Sequence, residues 1–397
     1  MGWDLGELLA EYGVPGAQVA VLSGGVIRDE AAGVLNLRTG VAATTDAVFK
    51  VGSITKIWTA TLIQQLAAEG VLDLDRPVRD HLPGFRLSDP AATATLTTRH
   101  LLTHTGGVDG NHFVDTGRND DAIARFVDTL ATADHLLPPG SLFSYSNSGY
   151  VVLGRLVEVL RGAPFHDVLR ERLVAPLGLR TAAVDTYEAI LQRAAVGHVP
   201  SGGQVVPVSD WAVSYYSAPS GSHFAISARE LLEFVRLHLT DPALAVLREP
   251  QLPAVPNFGL GAVGWGLGWM LHGDGVVGHT GVSKGQKAFL RHLPFDPLRL
   301  HPRRSSRAGR SRGHHLPFPH RDRPGRGPRR GGPFRRGRAD RRRTEGRHPP
   351  GLLAGRRGRA GPGPVPAQRR SRPAHQRRTA LSSARSSAPF GRTRSPA

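Results

Sequence analysis

Hydrophobic positions along the first three quarters of the chain follow the periods of strands and helices. The run at 17–22, Ala-Gln-Val-Ala-Val-Leu, predicts a short β-strand. Large apolar residues recur every fourth position over 54–66, which predicts a helix with one buried stripe. The apolar segment 150–160 predicts a further helix, and 276–281 predicts a strand that ends in a small residue. The pattern therefore indicates a folded domain built from both kinds of element.

The strand and helix periodicity of the sequence stops after Pro294. Arg, Gly and Pro make up 56 of the 96 residues from 302 to 397. That segment holds 28 Arg against three acidic residues, a local charge of +25, which leaves −6 for the first 301 residues out of the total of +19. Such a composition cannot bury enough apolar surface to offset its ordering entropy. We therefore predict a folded domain over residues 1–295 and a disordered tail over residues 296–397.

Three interpretations of the tail remain open. Clustered cations could bind nucleic acid through phosphate contacts, although only Phe318, Phe334 and Phe390 could stack on bases. The tail could also be a solvated basic extension without a role. The third interpretation, which we favour, is a frameshift, because out-of-frame translation of a GC-rich gene yields Arg, Pro, Gly and Ala in this excess. We therefore do not favour nucleic acid as a partner, and any such binding would involve only the tail.

Composition excludes several classes of site and protein. The chain has no cysteine, which excludes disulfides, thiolate metal sites and cysteine catalysis. It has no apolar run long enough to span a bilayer, so no membrane partner is predicted. The first seven residues lack both a basic start and an apolar segment, unlike a secretory signal. We expect a cytoplasmic protein.

The segment Gly52-Ser53-Ile54-Thr55-Lys56 stands at the start of the first predicted helix. Lys56 lies about one turn after Ser53, so its side chain can face the serine hydroxyl. A serine hydroxyl needs a neighbouring base to become a nucleophile, and a desolvated lysine can be that base. A helix N-cap serine followed by a surface lysine would give the same spacing, so the pair needs further elements to be informative.

Two later segments supply such elements. Tyr145 and Asn147 lie on a turn-rich loop before the helix predicted at 150–160, where both side chains could point into one cleft. A tyrosinate near a lysine can act as a general base, and an asparagine amide can bind a substrate carbonyl. His279 and Gly281 lie on the strand predicted at 276–281, where a glycine lets substrate lie along the strand edge.

These three elements, in this order, resemble the β-lactamase-related serine hydrolases, a superfamily of class C β-lactamases, DD-peptidases, D-aminopeptidases and esterases. The family motifs Ser-x-x-Lys, Tyr-x-Asn and Lys/His-x-Gly match Ser53–Lys56, Tyr145–Asn147 and His279–Gly281. The resemblance covers roughly residues 10–292. It implies an α+β fold in which an antiparallel sheet is flanked by helices and carries an inserted, mostly helical lobe.

The resemblance also implies a mechanism. Ser53 attacks a carbonyl, Lys56 and Tyr145 pass its proton to the leaving group, and water activated by Tyr145 hydrolyses the acyl-enzyme. Asn147 and His279 position the substrate. We expect the N–H of Val282, two residues beyond Thr280, to form an oxyanion hole with the N–H of Ser53. The implied substrate is a small ester, amide or lactam, and no cofactor is implied.

Two departures from the family pattern qualify this hypothesis. Position 279 is His, whereas β-lactamases usually carry Lys there. Histidine at this position is more typical of the esterase and peptidase branches. The family sheet also continues beyond the third motif, so the domain is expected to lack its last strands and terminal helix. An acylated penicillin-binding sensor, or an inactive truncated form, would carry the same motifs.

Two other patterns in the sequence do not indicate a binding site. Gly259, Gly261 and Gly264 fit the dinucleotide fingerprint Gly-x-Gly-x-x-Gly, but the residues that follow predict a strand and a turn rather than a helix. His100 and His104 have helical i,i+4 spacing without a third ligand, so no metal site is predicted.

Overall fold

A computed structural model describes residues 4–211, 214–256 and 259–293 of the chain. The predicted disorder of the tail, its frameshift origin and the predicted loss of terminal elements all concern residues beyond 293. They lie outside the described residues and stay predictions.

The described residues form ten α-helices and eleven strands, joined by shorter 3-10 turns and one π-helical turn at Arg170–Val174. The helices are α1 Leu5–Tyr12, α2 Thr55–Ala68, α3 Val78–His81, α4 Pro90–Thr95, α5 Thr98–Leu102, α6 Ala122–Thr129, α7 Asn147–Arg161, α8 Phe165–Leu169, α9 Thr186–Ile190 and α10 Ala228–Thr240. The strands are β1 Gly16–Ser23, β2 Val26–Asn36, β3 Val41–Ala42, β4 Phe49–Lys50, β5 His198–Ser201, β6 Gln204–Pro207, β7 Ala225–Ile226, β8 Gly264–Trp265, β9 Met270–Leu271, β10 Val277–Ser283 and β11 Gln286–His292.

The strands pair antiparallel in two main sheets. One has the order β1-β2-β3, and the other has the order β11-β10-β9-β8. Two further antiparallel pairs are formed by β4 with β7 and by β5 with β6. Helices α2 to α9 lie between β4 and β5 in sequence and form the mostly helical lobe. The predicted antiparallel sheet with an inserted helical lobe is confirmed, with the sheet in two pieces among the described residues.

Helix α2 lies at the centre of the domain. Trp58 is completely buried and stacks on Phe234 of α10 with ring centroids 3.7 Å apart. Every residue of the helix from 55 to 63 is buried, and so is Leu66. The prediction of a single buried stripe was therefore wrong. Threonine and alanine stand between the large apolar residues, and their small side chains let neighbouring elements approach the helix on all sides.

Helix α7 packs against α2 and against a 3-10 turn at Tyr215–Ser220. A Cβ atom added to Gly154 of α7 would lie 2.1 Å from a ring carbon of Pro219, so the close approach depends on this glycine. The Ser146 hydroxyl caps the helix by accepting a hydrogen bond from the N–H of Gly149. The helix thus begins at Asn147, three residues earlier than predicted, which places the Tyr145–Asn147 segment at its N-terminus.

Candidate active site

Ser53 lies in a tight 3-10 turn, Gly52–Ile54, that runs directly into α2. Its side chain is half-buried. Gly52 has a φ of 53°, and a Cβ atom there would lie 2.6 Å from the N of Val282. The turn therefore presents Ser53 at the junction of the helical lobe and β10.

Lys56 is completely buried, and its Nζ has three hydrogen-bond partners. These are the Oγ of Ser53 at 3.1 Å, the Oδ1 of Asn147 at 2.7 Å and the backbone carbonyl of Ser220 at 2.7 Å. The same Nζ lies 5.0 Å from the ring centroid of Tyr145. The structure thus brings together the first two predicted pairs, which are about 90 residues apart in sequence.

These contacts determine what Lys56 can do. Burial lowers the pKa of Lys56 well below its usual 10.5. A neutral amine has two N–H bonds and one lone pair. Asn147 Oδ1 and the Ser220 carbonyl can only accept, so they take the two N–H bonds, and the lone pair then faces the Ser53 hydroxyl. This is the arrangement that a general base for the serine requires.

Tyr145 is the second group hydrogen-bonded to Ser53. Burial raises the pKa of Tyr145 above its usual value of 10, although the hydrogen bond with Ser53 lowers it. The phenol is therefore the stable form at neutral pH, and the arrangement favours Tyr145 as a proton donor rather than as a tyrosinate base. Asn147 has its Oδ1 committed to Lys56, which leaves its NH2 group to donate to a bound molecule.

His279 lies on β10 and is completely buried. Its Nδ1 is 2.8 Å from the carbonyl oxygen of Thr280, which can only accept, so Nδ1 carries the proton. Burial, with help from the charge of Lys56, lowers the pKa of His279 to about 3. His279 is therefore neutral at pH 7. It does not line the cavity that contains Ser53, so its predicted part in positioning substrate remains a prediction.

Gly281 and Val282 lie where β10 passes the Ser53 turn. A Cβ atom on Gly281 would lie 1.8 Å from the carbonyl oxygen of Val51 and 3.2 Å from the N of Ser53. Strands β10 and β11 form a hairpin whose turn has two residues, and the turn is flanked by Ser283 and Gln286. In a hairpin of this kind the two flanking residues form a hydrogen-bonded pair. Alternation along the ladder then turns the N–H of Val282 away from β11, toward the Ser53 turn. The backbone of Val282 thus lies beside the Ser53 turn, and the oxyanion hole formed by the two N–H groups stays a prediction.

A cavity of about 240 Å³ opens on Ser53 and Asn147. Its remaining wall consists of residues from two loops, from α6 and α7, and from the end of β10: Gly110, His112, Phe113, Phe126, Ser148, Val151, Ser214, Tyr216, Ser217, Ser220, Gly221, Ser222, Val282, Ser283 and Lys284. Sequence reasoning missed this wall, apart from Val282, and it also missed the Ser220 carbonyl that orients Lys56. The small-residue cluster Pro-Ser-Gly-Ser at 219–222 was the one available signal.

His104 does not lie on a helix with His100, although the four-residue spacing of the two histidines is helical. Helix α5 ends at Leu102, and His104 has a φ of 57°, so the helical i,i+4 relation to His100 does not exist. The completely buried ring of His104 stacks on Tyr145 instead, with centroids 4.2 Å apart.

No helix in the described part of the chain combines the length and apolar character needed to cross a membrane.

Sequence comparisons relate the chain to known proteins. The family model described as Beta-lactamase matches residues 5–299. Penicillin-binding protein 4 of Amycolatopsis lactamdurans is 41% identical over 303 residues, which cover 72% of this chain and 80% of that protein. Protein flp of Staphylococcus aureus strain MW2 is 24% identical over 288 residues, covering 70% of this chain and 57% of that protein.

Comparisons with solved structures agree. The crystal structure of SurE has a TM-score of 0.63 at 33% identity, covering 72% of this chain and 67% of that one. The D-amino acid amidase of Ochrobactrum anthropi SV3, complexed with D-phenylalanine, has a TM-score of 0.60 at 24% identity, covering 72% and 88%. The second likeness shows a shared fold.

Proposed function

The chain belongs to the beta-lactamase family of serine hydrolases, and from this premise we propose that it cleaves an ester, amide or lactam through an acyl-enzyme on Ser53. One observation carries the proposal. The buried Nζ of Lys56 has two partners that can only accept a hydrogen bond, and its third partner is the hydroxyl oxygen of Ser53 at 3.1 Å.

The reaction begins with a proton transfer. Lys56 in its neutral form takes the proton of Ser53 as Oγ bonds to the substrate carbonyl carbon. The carbonyl oxygen becomes negative and accepts hydrogen bonds from the backbone N–H groups of Ser53 and Val282. The NH2 group of Asn147 donates to another carbonyl of the substrate.

The bond from the carbonyl carbon to the leaving atom then breaks. Tyr145, as a neutral phenol, donates its proton to the leaving atom, and the proton held on Lys56 restores the phenol. Water next attacks the acyl-enzyme and loses a proton to Lys56, which is again neutral. The bond from the carbon to Ser53 Oγ breaks, Oγ recovers a proton, and the free acid leaves.

The experiment is covalent labelling of the full chain with a fluorophosphonate probe, followed by intact-protein mass spectrometry. Labelling should stop in Ser53→Ala and persist in Ser141→Ala, an exposed serine outside the cavity. Equal labelling of Ser53→Ala and the unsubstituted protein would overturn the assignment of the nucleophile.

A stalled acyl-enzyme is a second candidate, because the relative at 41% identity is named a penicillin-binding protein. A penicillin-binding sensor would acylate through the same groups and hydrolyse the adduct very slowly. Burst kinetics separate the two candidates. A burst of one equivalent with almost no steady state supports the sensor, and sustained turnover supports the hydrolase.

Nucleic-acid binding through the basic tail rests on residues beyond those described. It would be tested by truncation at about residue 300 and by the salt dependence of binding.

A further inference from the structure

The cavity beside Ser53 is separate from the groups proposed to move protons. Lys56 and Tyr145, the groups proposed to move protons, do not line the cavity, whereas Ser53 and Asn147 do. A leaving group must lie against its proton donor, so it belongs on the Tyr145 side of Ser53. The cavity therefore lies on the acyl side of the scissile bond. This step rests on the function proposed above.

Serines contribute much of the cavity lining, but its most deeply buried part is apolar. Phe126 and Tyr216 stack with ring centroids 4.2 Å apart and planes 9° apart, and both are buried. Val151 of α7 is buried beside them in the same wall. Packed aromatic rings of this kind hold their shape and offer a fixed apolar surface to a bound group.

The mouth of the cavity carries two large apolar side chains that folding leaves in solvent. Phe113 is 76% exposed and Val282 is 59% exposed, and both line the cavity. Val282 also supplies the N–H proposed for the oxyanion hole, so its side chain lies next to the reacting carbonyl. An apolar group attached to that carbonyl would cover both side chains and remove their surface from water.

The charges around this cavity do not favour an anionic group. Lys284, the one cation among the lining residues, forms an ion pair with Asp210. At the deep wall, burial raises the pKa of Tyr216, and the negative charge of Asp115 adds to the rise. His112 is held by a hydrogen bond between its Nε2 and Thr129 Oγ1 at 2.9 Å. A carboxylate in this cavity would find no free cation among the residues that line it.

We propose that this cavity is the acyl-group pocket and that it selects an uncharged, apolar acyl group, which Phe113 and Val282 clamp at the mouth against the Phe126–Tyr216 wall. Its volume of about 240 Å³ suits one branched aliphatic or phenyl-sized group, below the range typical of cavities for drug-sized ligands.

The test uses p-nitrophenyl esters of acetic, butyric, hexanoic and succinic acid with the full chain. Ser53 Oγ bonds to the acyl carbon, the bond to the nitrophenol oxygen breaks, and nitrophenol is released. We expect kcat/KM to rise roughly tenfold or more from acetate to hexanoate. We expect kcat/KM to be lower for the succinate ester, which carries one negative charge, than for the butyrate ester of the same length.

Phe113→Ser should lower the hexanoate-to-acetate ratio about fivefold or more, mainly through KM. The matched control is Tyr187→Ser, an aromatic residue 60% exposed on α9 and outside the cavity, which should leave the ratio unchanged. A ratio that is flat in the unsubstituted protein, or equal for the two variants, would overturn the pocket assignment. Failure of the proposed function is a different result, namely absence of fluorophosphonate labelling at Ser53.

Discussion

The Nδ1 of His104 accepts a hydrogen bond from the backbone N–H of Ser146 at 3.0 Å. The carbonyl oxygen of His104 also accepts from the N–H of Ser144 at 2.7 Å, so both sides of Tyr145 are tied to one residue. Burial, together with the charge of Lys56, holds the pKa of His104 well below its usual range. The neutral form that can accept at Nδ1 is therefore the stable one.

This relationship predicts the effect of substituting His104. His104→Phe keeps an aromatic ring but removes the acceptor and leaves the buried N–H of Ser146 unpaired, which should destabilise the protein by about 1–3 kcal/mol. It should also lower kcat more than it raises KM, because Tyr145 and Asn147 lose their fixed position. Chemical denaturation and steady-state kinetics measure the two effects.

His104→Asn is the matched comparison, because asparagine tolerates the positive φ of 57° and its Oδ1 can accept from Ser146. It should recover part of the lost kcat. If the Phe and Asn variants had equal kcat, the hydrogen bond would have no part in positioning the loop.

Lys56→Met should lower kcat/KM by about 10²–10⁴-fold, the usual contribution of a general base. Because the base acts as the neutral amine, kcat/KM of the unsubstituted protein should rise with pH through a pKa below 10.5 and then level off. Lys287→Met, an exposed lysine on β11, is the control and should change neither value. A pH profile in Lys56→Met that matches the unsubstituted protein would assign the ionisation to another group.

Gly281→Ala should abolish labelling of Ser53. The added Cβ atom would lie 1.8 Å from the carbonyl oxygen of Val51, which is backbone and cannot rotate away. Strand β10 would have to move from the Ser53 turn, and the Val282 N–H would move with it. Gly84→Ala, where nothing lies within 4 Å of the added atom, should label normally. Normal labelling of Gly281→Ala would show that β10 can shift without loss of the site.

Stability should fall in mild acid because of buried neutral histidines. Burial, together with the charge of Arg248, lowers the pKa of His238 to about 3, so in the folded state it stays neutral while the unfolded chain binds a proton below pH 6.5. The stabilisation is complete above pH 6.5 and declines as pH falls toward 3, by about 1.4 kcal/mol per pH unit for each such histidine.

His238→Gln removes one of these titrating groups. Urea denaturation at pH 7, 6, 5 and 4 should show a shallower decline of the free energy of unfolding in this variant than in the unsubstituted protein. Parallel pH dependences for the two proteins would contradict the assigned pKa.

Local features of the sequence were enough to predict the local structure that carries the site. A serine and a lysine three residues apart at the start of an apolar helix place both side chains on one face, whatever the rest of the chain does. Apolar runs bounded by turns likewise predicted a strand at 276–281 and a helix at 150–160, which the structure has at Val277–Ser283 and Asn147–Arg161. The order of the three motifs then indicated the fold, because it matched a known family.

Tertiary structure decided the chemical state of the same residues. The lowered pKa of Lys56, the neutral form of His279 and the raised pKa of Tyr145 all follow from burial, which depends on elements that are distant in sequence. The Ser220 carbonyl that orients Lys56 lies 164 residues away from it. Periodicity reports which face of an element is apolar, but the dielectric environment and the shape of a cavity arise only when several elements pack together.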